Sequence, residues 1–372
     1  MIITNKDELT GYVATKRIWQ GIPGIERTEK GRLFATWYSG GVSEQYGNYV
    51  VLVKSDDNGC TWSEPIAVAY NGEESRCYDP CLWIDPLKRL WLIWAVMPQY
   101  GVYASICDDP DADTLKFSEP RKIGRDVMMN KPTVLNDGSW VFPMAVWQNN
   151  VVVVKGVESA GEDRGAYLCR TVDNGQSFTR LGCPTVDNPS FDEHMALEKL
   201  DGTLQNWMRT RDGICIASSN DGGATYEKAL KFPITTPDSR FHICRLKSGK
   251  LLLIAHKDTT KRNNLCALLS DDDGISWKYS LMLDERSSVS YPDVKQGSDG
   301  YIYVVYDRER GGYKKSYAES KDSAKEILIA RITEDDIIAG QIEDPNSKLR
   351  MIVSKLDHFD GNPDQMYAKY VK

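Results

Sequence analysis

The sequence predicts an all-β fold, a six-bladed β-propeller, from two independent repeats. The first is an eight-residue phrase with a hydroxyl residue first, Asp third, Gly fifth and an aromatic residue eighth. Its four copies are Ser55–Trp62, Thr171–Phe178, Ser219–Tyr226 and Ser270–Trp277. The second repeat, a turn followed by an apolar strand, occurs at residues 30–35, 87–92, 137–142, 201–204, 248–253 and 299–304. Units of about fifty residues, rich in short strands with Gly and Asp turns, are typical of propeller blades. Six units therefore predict six four-stranded blades.

Each eight-residue phrase predicts a tight hairpin turn. Its Asp can accept backbone N–H hydrogen bonds, its Gly supplies positive φ, and its aromatic residue packs the turn onto the sheet. The gap between the first two copies is about two periods wide, and a degraded copy at Cys107–Pro110, ahead of Phe117–Pro120, fits within it. The phrases set the fold and are expected to carry no chemistry.

On length alone, 372 residues suggest two or three domains, but the repeats override this expectation. We predict a propeller over residues 1–335 and a C-terminal closing segment, residues 336–372, packed on it. The net charge of −7 and the absence of a basic stripe argue against nucleic acid as a partner. Apolar runs are only strand-sized, which predicts no membrane span. The first residues lack a secretory pattern and favour the cytoplasm, although a processed secreted chain would begin the same way.

Cysteine and histidine usage predicts neither a metal site nor a disulfide framework. The nine cysteines are scattered, and the one close pair, Cys77 and Cys81, fits neither a zinc knuckle nor a redox motif. The four histidines have no metal-ligand spacing. We therefore expect reduced thiols and no metal.

In a propeller, loops from every blade converge at one end of the central channel, so a site there draws single residues from distant positions. Polar residues at predicted strand ends are therefore the candidates. They are Glu44, Asn48, Arg76, Asp79, Glu193, His194, Arg209, Arg240, Arg262, Tyr291, Asp293 and Arg308. For each charged residue, a solvated loop position or a structural ion pair is an equally good interpretation. A histidine such as His194 is more often a hydrogen-bonded core residue than a catalyst.

The chain resembles the sialidase superfamily over roughly residues 15 to 335. The eight-residue phrase is similar to that family's Asp-box, or BNR repeat, and the spacing of several candidate residues is similar as well. Sialidases carry a glutamate followed sixteen residues later by an arginine, as Glu193 and Arg209 are placed here. They carry another arginine eight residues before a late Asp-box, matched by Arg262, and a tyrosine before the last Asp-Gly turn, matched by Tyr291.

Two departures indicate a divergent member. The family opens with an Arg-Ile-Pro phrase whose arginine completes a triad around the substrate carboxylate, and the matching residues here are Gly21, Ile22 and Pro23. The family's acid/base aspartate falls about at Ser43, which leaves the adjacent Glu44 as the nearby carboxylate. Sialic acid itself is therefore an open question.

The resemblance implies a mechanism with no required cofactor. A phenol has a pKa near ~10, so Tyr291 would be a nucleophile that Glu193 deprotonates as attack proceeds. Arg209 and Arg262 would grip an anionic group, and Arg240 would replace the missing third arm. The acid would be Glu44, with Asp79 as second choice. Remaining candidates would contact the substrate: Asn48, His194, Arg76, Asp293 and Arg308.

The resulting hypothesis is an exo-acting retaining glycoside hydrolase that releases a terminal acidic sugar, a sialic, related ulosonic or uronic acid, from a glycan. Two alternatives remain open at this point. One is a polysaccharide lyase acting beside a uronic carboxylate, and the other is a non-catalytic glycan-binding propeller. The sequence does not predict an oligomeric state.

Overall fold

Six antiparallel sheets stand around a central channel, which confirms the predicted all-β, six-bladed propeller. The computed structural model describes residues 1–99, 101–125, 127–147, 164–311 and 323–370. Blade 1 comprises β1 (Ile2–Ile3), β2 (Gln20–Arg27), β3 (Leu33–Ser39), β4 (Tyr49–Ser55) and β5 (Ala67–Ala69). Blade 2 comprises β6 (Arg76–Ile84), β7 (Leu90–Met97), β8 (Gly101–Cys107) and β9 (Arg121–Gly124). Blade 3 comprises β10 (Thr133–Val134), β11 (Trp140–Val146), β12 (Gly165–Thr171) and β13 (Thr179–Arg180).

The second half of the ring repeats this order. Blade 4 comprises β14 (Pro189–Glu198), β15 (Leu204–Thr210), β16 (Gly213–Ser219) and β17 (Leu230–Lys231). Blade 5 comprises β18 (His242–Arg245), β19 (Leu251–His256), β20 (Leu265–Ser270) and β21 (Tyr279–Asp284). Blade 6 comprises β22 (Val289–Gln296), β23 (Ile302–Arg308), β24 (Glu326–Ile332) and β25 (Lys348–Lys355). Apart from β1, which pairs outside β5, every blade is a meander of consecutive strands.

The C-terminal residues contribute to the last blade. Strand β25 pairs with β24, so the propeller extends past residue 335. It includes part of the segment 336–372 that was predicted to pack on it as a separate closing segment. The short helix α2 (Glu334–Ala339) joins these strands where other blades have the eight-residue turn. It begins with a capping box between Thr333 and Asp336. The remaining helices are α1 (Lys6–Leu9) and α3 (Pro363–Tyr370), with 3₁₀ turns at Thr10–Tyr12 and Ala14–Lys16. Across the residues described, no helix is long and apolar enough to cross a membrane.

Alternation along the strands explains how the blades stack. In β7, Leu92 and Trp94 face blade 1, whereas Trp91 and Ile93 face blade 3. Because both faces of a blade are covered, its inner strands read as continuous apolar runs. The ring closes in the same way, with Ile25 of blade 1 packed in one cluster with Val305 of blade 6. The ring is therefore closed by side-chain packing between neighbouring blades, and the first strands of the blades take part in this packing.

The four eight-residue turns have the predicted hydrogen bonds. In the first, Asp57 Oδ1 accepts from Thr61 N at 2.9 Å, and Ser55 Oγ accepts from Gly59 N at 3.0 Å. Gly59 has a φ of +83°, which its lack of a Cβ permits. The aromatic Trp62 packs beside the apolar cluster between blades 1 and 6. Each turn follows the third strand of its blade, and so lies at the end of the propeller opposite the first residues of the innermost strands.

A buried ion network fills the channel between these two ends. Asp293 Oδ2 lies 3.0 Å from Lys131 Nζ and accepts from Ile25 N at 2.9 Å. Lys131 Nζ also lies 3.2 Å from Glu26 Oε1, and His242 Nδ1 lies 3.0 Å from Asp293 Oδ1. Burial opposes ionisation of Asp293, but Lys131 and its other neighbours outweigh burial and lower its pKa. The network ties blades 1, 3, 5 and 6 together at the axis.

Candidate active site

Four innermost strands carry a β-bulge near their first residues, and these bulges place the site. The pairing register shifts between Gly21 and Gly24 in blade 1 and at corresponding points in blades 2, 4 and 6. Each bulge contains a non-glycine residue with positive φ: Ile22 at +61°, Asp79 at +47°, Asp192 at +47° and Tyr291 at +55°. Such residues cost about 1–3 kcal/mol each and cluster at functional sites. The bulges re-aim side chains at the mouth of the channel.

Tyr291 and Glu193, predicted from distant parts of the sequence, are in direct contact. Tyr291 Oη donates to Glu193 Oε1 at 2.9 Å, and both residues are buried, at 6% and 4% exposure. Arg209 Nη1 donates to the same carboxylate oxygen at 2.8 Å and to Tyr291 Oη at 3.0 Å. The second oxygen of Glu193 has no hydrogen-bond partner within the described residues. The three side chains form one hydrogen-bonded unit.

The phenol of this unit is protonated at neutral pH. Burial raises the pKa of Tyr291 and the negative charge of Glu193 adds to the rise, while Arg209, Arg262 and Arg310 oppose it. The tyrosine can attack an electrophile only if its proton leaves as the bond forms. Glu193 is placed to receive that proton.

Guanidinium groups surround the tyrosine ring. Arg262 Cζ lies 5.3 Å from the ring centroid, and Arg310 Cζ lies 4.1 Å from it. Asp238 orients two of the arginines, since its Oδ1 accepts from Arg209 Nε at 2.5 Å and its carbonyl accepts from Arg262 Nη2 at 3.4 Å. Three cations converging on one tyrosine make a site suited to an anionic group.

Glu44 lies between two arginines. Its Oε2 accepts from Arg76 Nη2 at 2.8 Å, and its Oε1 accepts from Arg310 Nη1 at 3.5 Å. The same Arg76 nitrogen donates to Tyr38 Oη at 2.8 Å. Burial raises the pKa of Glu44, but Arg76 and Arg310 outweigh burial, and the net pKa is lowered. Glu44 is therefore ionised at neutral pH and poorly suited to the role of acid that the sequence suggested for it.

Asp79 has the opposite electrostatics. Its side chain is buried, at 3% exposure, and burial raises its pKa to about 7. The charges of Arg76 and Arg310 oppose the rise, and the carboxylates of Glu44 and Glu193 add to it. A carboxyl group that holds its proton near pH 7 has the property required of a general acid.

Two sequence candidates belong to the buried network of the channel. Arg240 is 1% exposed and donates to Asn130 Oδ1 at 2.6 Å and to the carbonyls of Pro23 and Met129 at 3.2 and 2.9 Å. Asp293 is held by the ion pairs described above. The structure therefore does not support the prediction that Arg240 is the third substrate arm, because its donors are directed at the protein. Asp293 likewise binds groups of the scaffold, so its predicted role in substrate binding is not supported.

Three further candidates have structural roles. Asn48 is fully buried, donates to the carbonyls of Ser39, Gly40 and Ser43, and so holds the loop that carries Glu44. His194 contacts the carbonyls of Asp192 and Tyr167 at 2.8 and 2.6 Å, as a core histidine does. Arg308 pairs with Glu326 at 3.2 Å and Glu309 at 3.0 Å. None of the three contacts the tyrosine unit, so their predicted role in substrate binding is not supported.

The sequence analysis missed three residues at this site. Arg310 stands two positions beyond the arginine it selected, and Asp238 stands two before Arg240. Phe191 is 39% exposed, and its ring lies 4.8 Å from Arg209 Cζ, so it forms part of the wall. Arg310 and Asp238 follow β23 and β17 and so satisfy the strand-end rule, but nothing in the sequence assigns them a role. Phe191 has no signal in the sequence, because its exposure depends on the bulge.

The described residues include no group of three or more His, Cys, Asp or Glu side chains placed to hold a metal ion.

Comparison with known proteins identifies the family of this chain. The sequence profile of the BNR repeat-like domain matches residues 31–304. No significant match to a curated protein was found. Among solved structures, the chain is similar to the Hadza microbial sialidase Hz136, with a TM-score of 0.62 and 20% identity over 78% of this chain and 63% of that one.

Two other solved structures widen the comparison. A leech intramolecular trans-sialidase complexed with 2,7-anhydro-Neu5Ac has a TM-score of 0.64 and 14% identity, over 88% of this chain and 70% of that one. An α-L-arabinanase from Penicillium chrysogenum complexed with arabinobiose has a TM-score of 0.56 and 13% identity, over 87% of this chain and 96% of that one. At these identities the likeness shows a shared fold.

Proposed function

The chain belongs to the BNR repeat-like domain family, and from that premise and the geometry of the site we propose that it is an exo-acting retaining glycoside hydrolase. Its substrate is a glycan with a terminal sugar that bears an anionic group. The observation that supports this most directly is the buried contact of 2.9 Å between Tyr291 Oη and Glu193 Oε1, with Arg209 bound to both. The solved structures that share the fold include sialidases, which agrees with the proposal.

The first half-reaction forms a bond between Tyr291 Oη and the anomeric carbon. As it forms, the phenol proton passes to Glu193, and the glycosidic C–O bond breaks with its electron pair on the leaving oxygen. Asp79 donates a proton to that oxygen and becomes a carboxylate. The second half-reaction runs in reverse with water in place of the leaving group: Asp79 removes a proton from water, and Glu193 returns its proton to Tyr291. Two displacements retain the anomeric configuration.

An uncharged nucleophile suits an anionic sugar, because a carboxylate nucleophile would be repelled by it. Arg209 and Arg262 approach the tyrosine from blades 4 and 5 and supply the positive charge that would hold the sugar's anionic group. Arginine offers two parallel N–H donors, which match a carboxylate. Sialidases are the noted exception among retaining glycosidases in using tyrosine as the nucleophile.

The acid role moves from Glu44 to Asp79. Glu44 is kept ionised by Arg76 and Arg310, whereas the pKa of Asp79 is raised to about 7. A group with a pKa near the working pH can both donate and accept the proton, as a double displacement requires. We assign Glu44 the task of holding the two arginines in place.

The test is release of an aryl alcohol from a panel of aryl glycosides of sialic, uronic and neutral sugars. Tyr291→Phe removes the nucleophilic oxygen and leaves the other site residues in place. Turnover of the best substrate should therefore fall by about 10³-fold or more. Tyr306→Phe is a matched control, since Tyr306 is also buried and donates to a carboxylate, Asp284, at 3.1 Å. The control should keep full activity.

Three results would contradict the proposal. Full activity of Tyr291→Phe would exclude the nucleophile. An unsaturated product absorbing in the ultraviolet would indicate a lyase. Binding of glycans with no release from any member of the panel would indicate a non-catalytic propeller.

A further inference from the structure

The side chain of Arg310 occupies the space that position 21 leaves empty. A Cβ added to Gly21 would lie 2.4 Å from Cδ of Arg310 and 2.7 Å from its Cγ, closer than non-bonded carbons approach. Gly21 is not among the residues with positive φ, so its backbone would accept other residues. Any side chain at position 21 would therefore clash with Arg310 in its present position.

The chain around Arg310 is bound to the start of β2. Gln20 N donates to the carbonyl of Arg310 at 3.2 Å. Asp307 Oδ2 accepts from Ile22 N at 2.7 Å and from Arg310 Nε at 2.7 Å. One buried carboxylate thus fixes both the bulge of blade 1 and the guanidinium that lies over it.

The guanidinium of Arg310 has a fixed position, but its protein contacts do not use all of its N–H donors. It stacks on the ring of Tyr291 at 4.1 Å and donates to Ser290 Oγ at 3.0 Å and to Glu44 Oε1 at 3.5 Å. An arginine has five N–H donors, and the contacts to Asp307, Ser290 and Glu44 use three. The side chain is 15% exposed. It combines a fixed position with donors still available to a ligand.

We propose that Arg310 is the third guanidinium of the anion-binding group, delivered from blade 6 into the space that Gly21 leaves in blade 1. With Arg209 and Arg262 it binds the carboxylate of the sugar beside Tyr291. This inference rests on the proposed function for the choice of a sugar ligand. On this proposal, Arg310 takes the place of the arginine that the resemblance places at position 21. The site therefore keeps its selectivity for an anionic sugar.

The test measures binding by calorimetry in the Tyr291→Phe background, where no turnover interferes. The probes are methyl α-N-acetylneuraminide and methyl β-D-glucuronide, each compared with its methyl ester. Arg310→Met should weaken binding of the preferred acid by about 10- to 100-fold, the effect of one charge-assisted hydrogen bond, and leave the ester unchanged. Arg308→Met is the matched control, since Arg308 lies on the same segment and pairs with Glu326, and it should change neither.

Position 21 provides the second half of the test. Gly21→Ala should weaken binding of the acid like Arg310→Met, and it should add nothing when combined with Arg310→Met, because its only effect is to displace that arginine. The exchange Gly21→Arg with Arg310→Gly should recover at least a tenth of the parent affinity.

Several results would overturn the assignment of Arg310. They are equal affinity of the parent for acid and ester, equal losses for acid and ester in Arg310→Met, or an additive effect of the two substitutions. Failure here is distinct from failure of the proposed function, because turnover of aryl glycosides tests the nucleophile, whereas the difference in affinity between acid and ester tests Arg310.

Discussion

The substitution Asp79→Asn tests the acid assignment through stability as well as through activity. Asp79 is buried, and its pKa is raised from 3.8 in the unfolded chain to about 7 in the native protein. Since one pKa unit corresponds to 1.36 kcal/mol, the shift amounts to about 4 kcal/mol at most. The φ of +47° at this position suits asparagine as well as aspartate, so the bulge should persist.

The sign of the effect follows from which state holds the proton. Below pH 3.8 both states are protonated, and the group contributes no penalty. As the pH rises towards 7 the unfolded chain loses its proton while the native protein keeps it, so native stability falls. Above about pH 7 the penalty is complete. Asparagine cannot ionise, so Asp79→Asn should gain about 2–3 kcal/mol relative to wild type between pH 5 and pH 8.

Urea unfolding of both proteins at pH 5, 6.5 and 8 measures this difference, and aryl glycoside hydrolysis on the same samples measures activity. Loss of the acid should lower the rate by about 10²–10⁴-fold. Glu44→Gln is the control with the opposite sign, because the pKa of Glu44 is lowered and its ion pairs stabilise the native state at neutral pH. Parallel stability profiles for wild type and Asp79→Asn would refute the reasoning.

Two other substitutions test the scaffold. Lys131→Met should lower the free energy of unfolding by about 3 kcal/mol, because Glu26 and Asp293 would lose the buried cation between them and keep only their pairs with Lys295 and Arg240. Urea denaturation measures the loss against Lys88→Met, which breaks an exposed pair, and a loss below about 1 kcal/mol would contradict the network's role. Asp57→Ala should cost about 1–2 kcal/mol through its lost turn hydrogen bonds and leave kcat/KM unchanged, because the turn lies at the opposite end of the propeller from Tyr291; a change in kcat/KM would show that the turns contribute to the site.

The fold could be predicted because its signal is repeated. The turn phrases have fixed spacing, and each of the six turn–strand repeats leads into the second strand of one blade, from β3 to β23. The contact of Tyr291 with Glu193 and Arg209 was also within reach, because the resemblance supplied residue types and spacings. In both cases a short sequence pattern with fixed spacing determines where each residue lies in the fold.

The roles of the remaining site residues were not predictable, because those roles depend on contacts across blades. Arg240 and Arg310 both follow the candidate rule for charged residues near strand ends. Only the structure shows that Arg240 lies 3.2 Å from the carbonyl of Pro23 inside the channel, whereas Arg310 lies over Tyr291. Similarly, the sequence does not distinguish Glu44 from Asp79 as the acid, since the difference comes from the arginines paired with one and the burial of the other.

The two ends of the propeller divide stability from chemistry. At one end, the turns place only Gly, Asn or Asp where φ is positive, and these residues adopt that region readily. At the other, the bulky residues Tyr291 and Ile22 adopt positive φ, and each costs about 1–3 kcal/mol. Such strain persists only where surrounding contacts determine the backbone. The channel network supplies them, because Asp293, two residues beyond Tyr291, binds Lys131 and accepts from Ile25 N of the neighbouring bulged strand. The buried ions therefore fix the bulges, and the bulges aim the side chains of the proposed site.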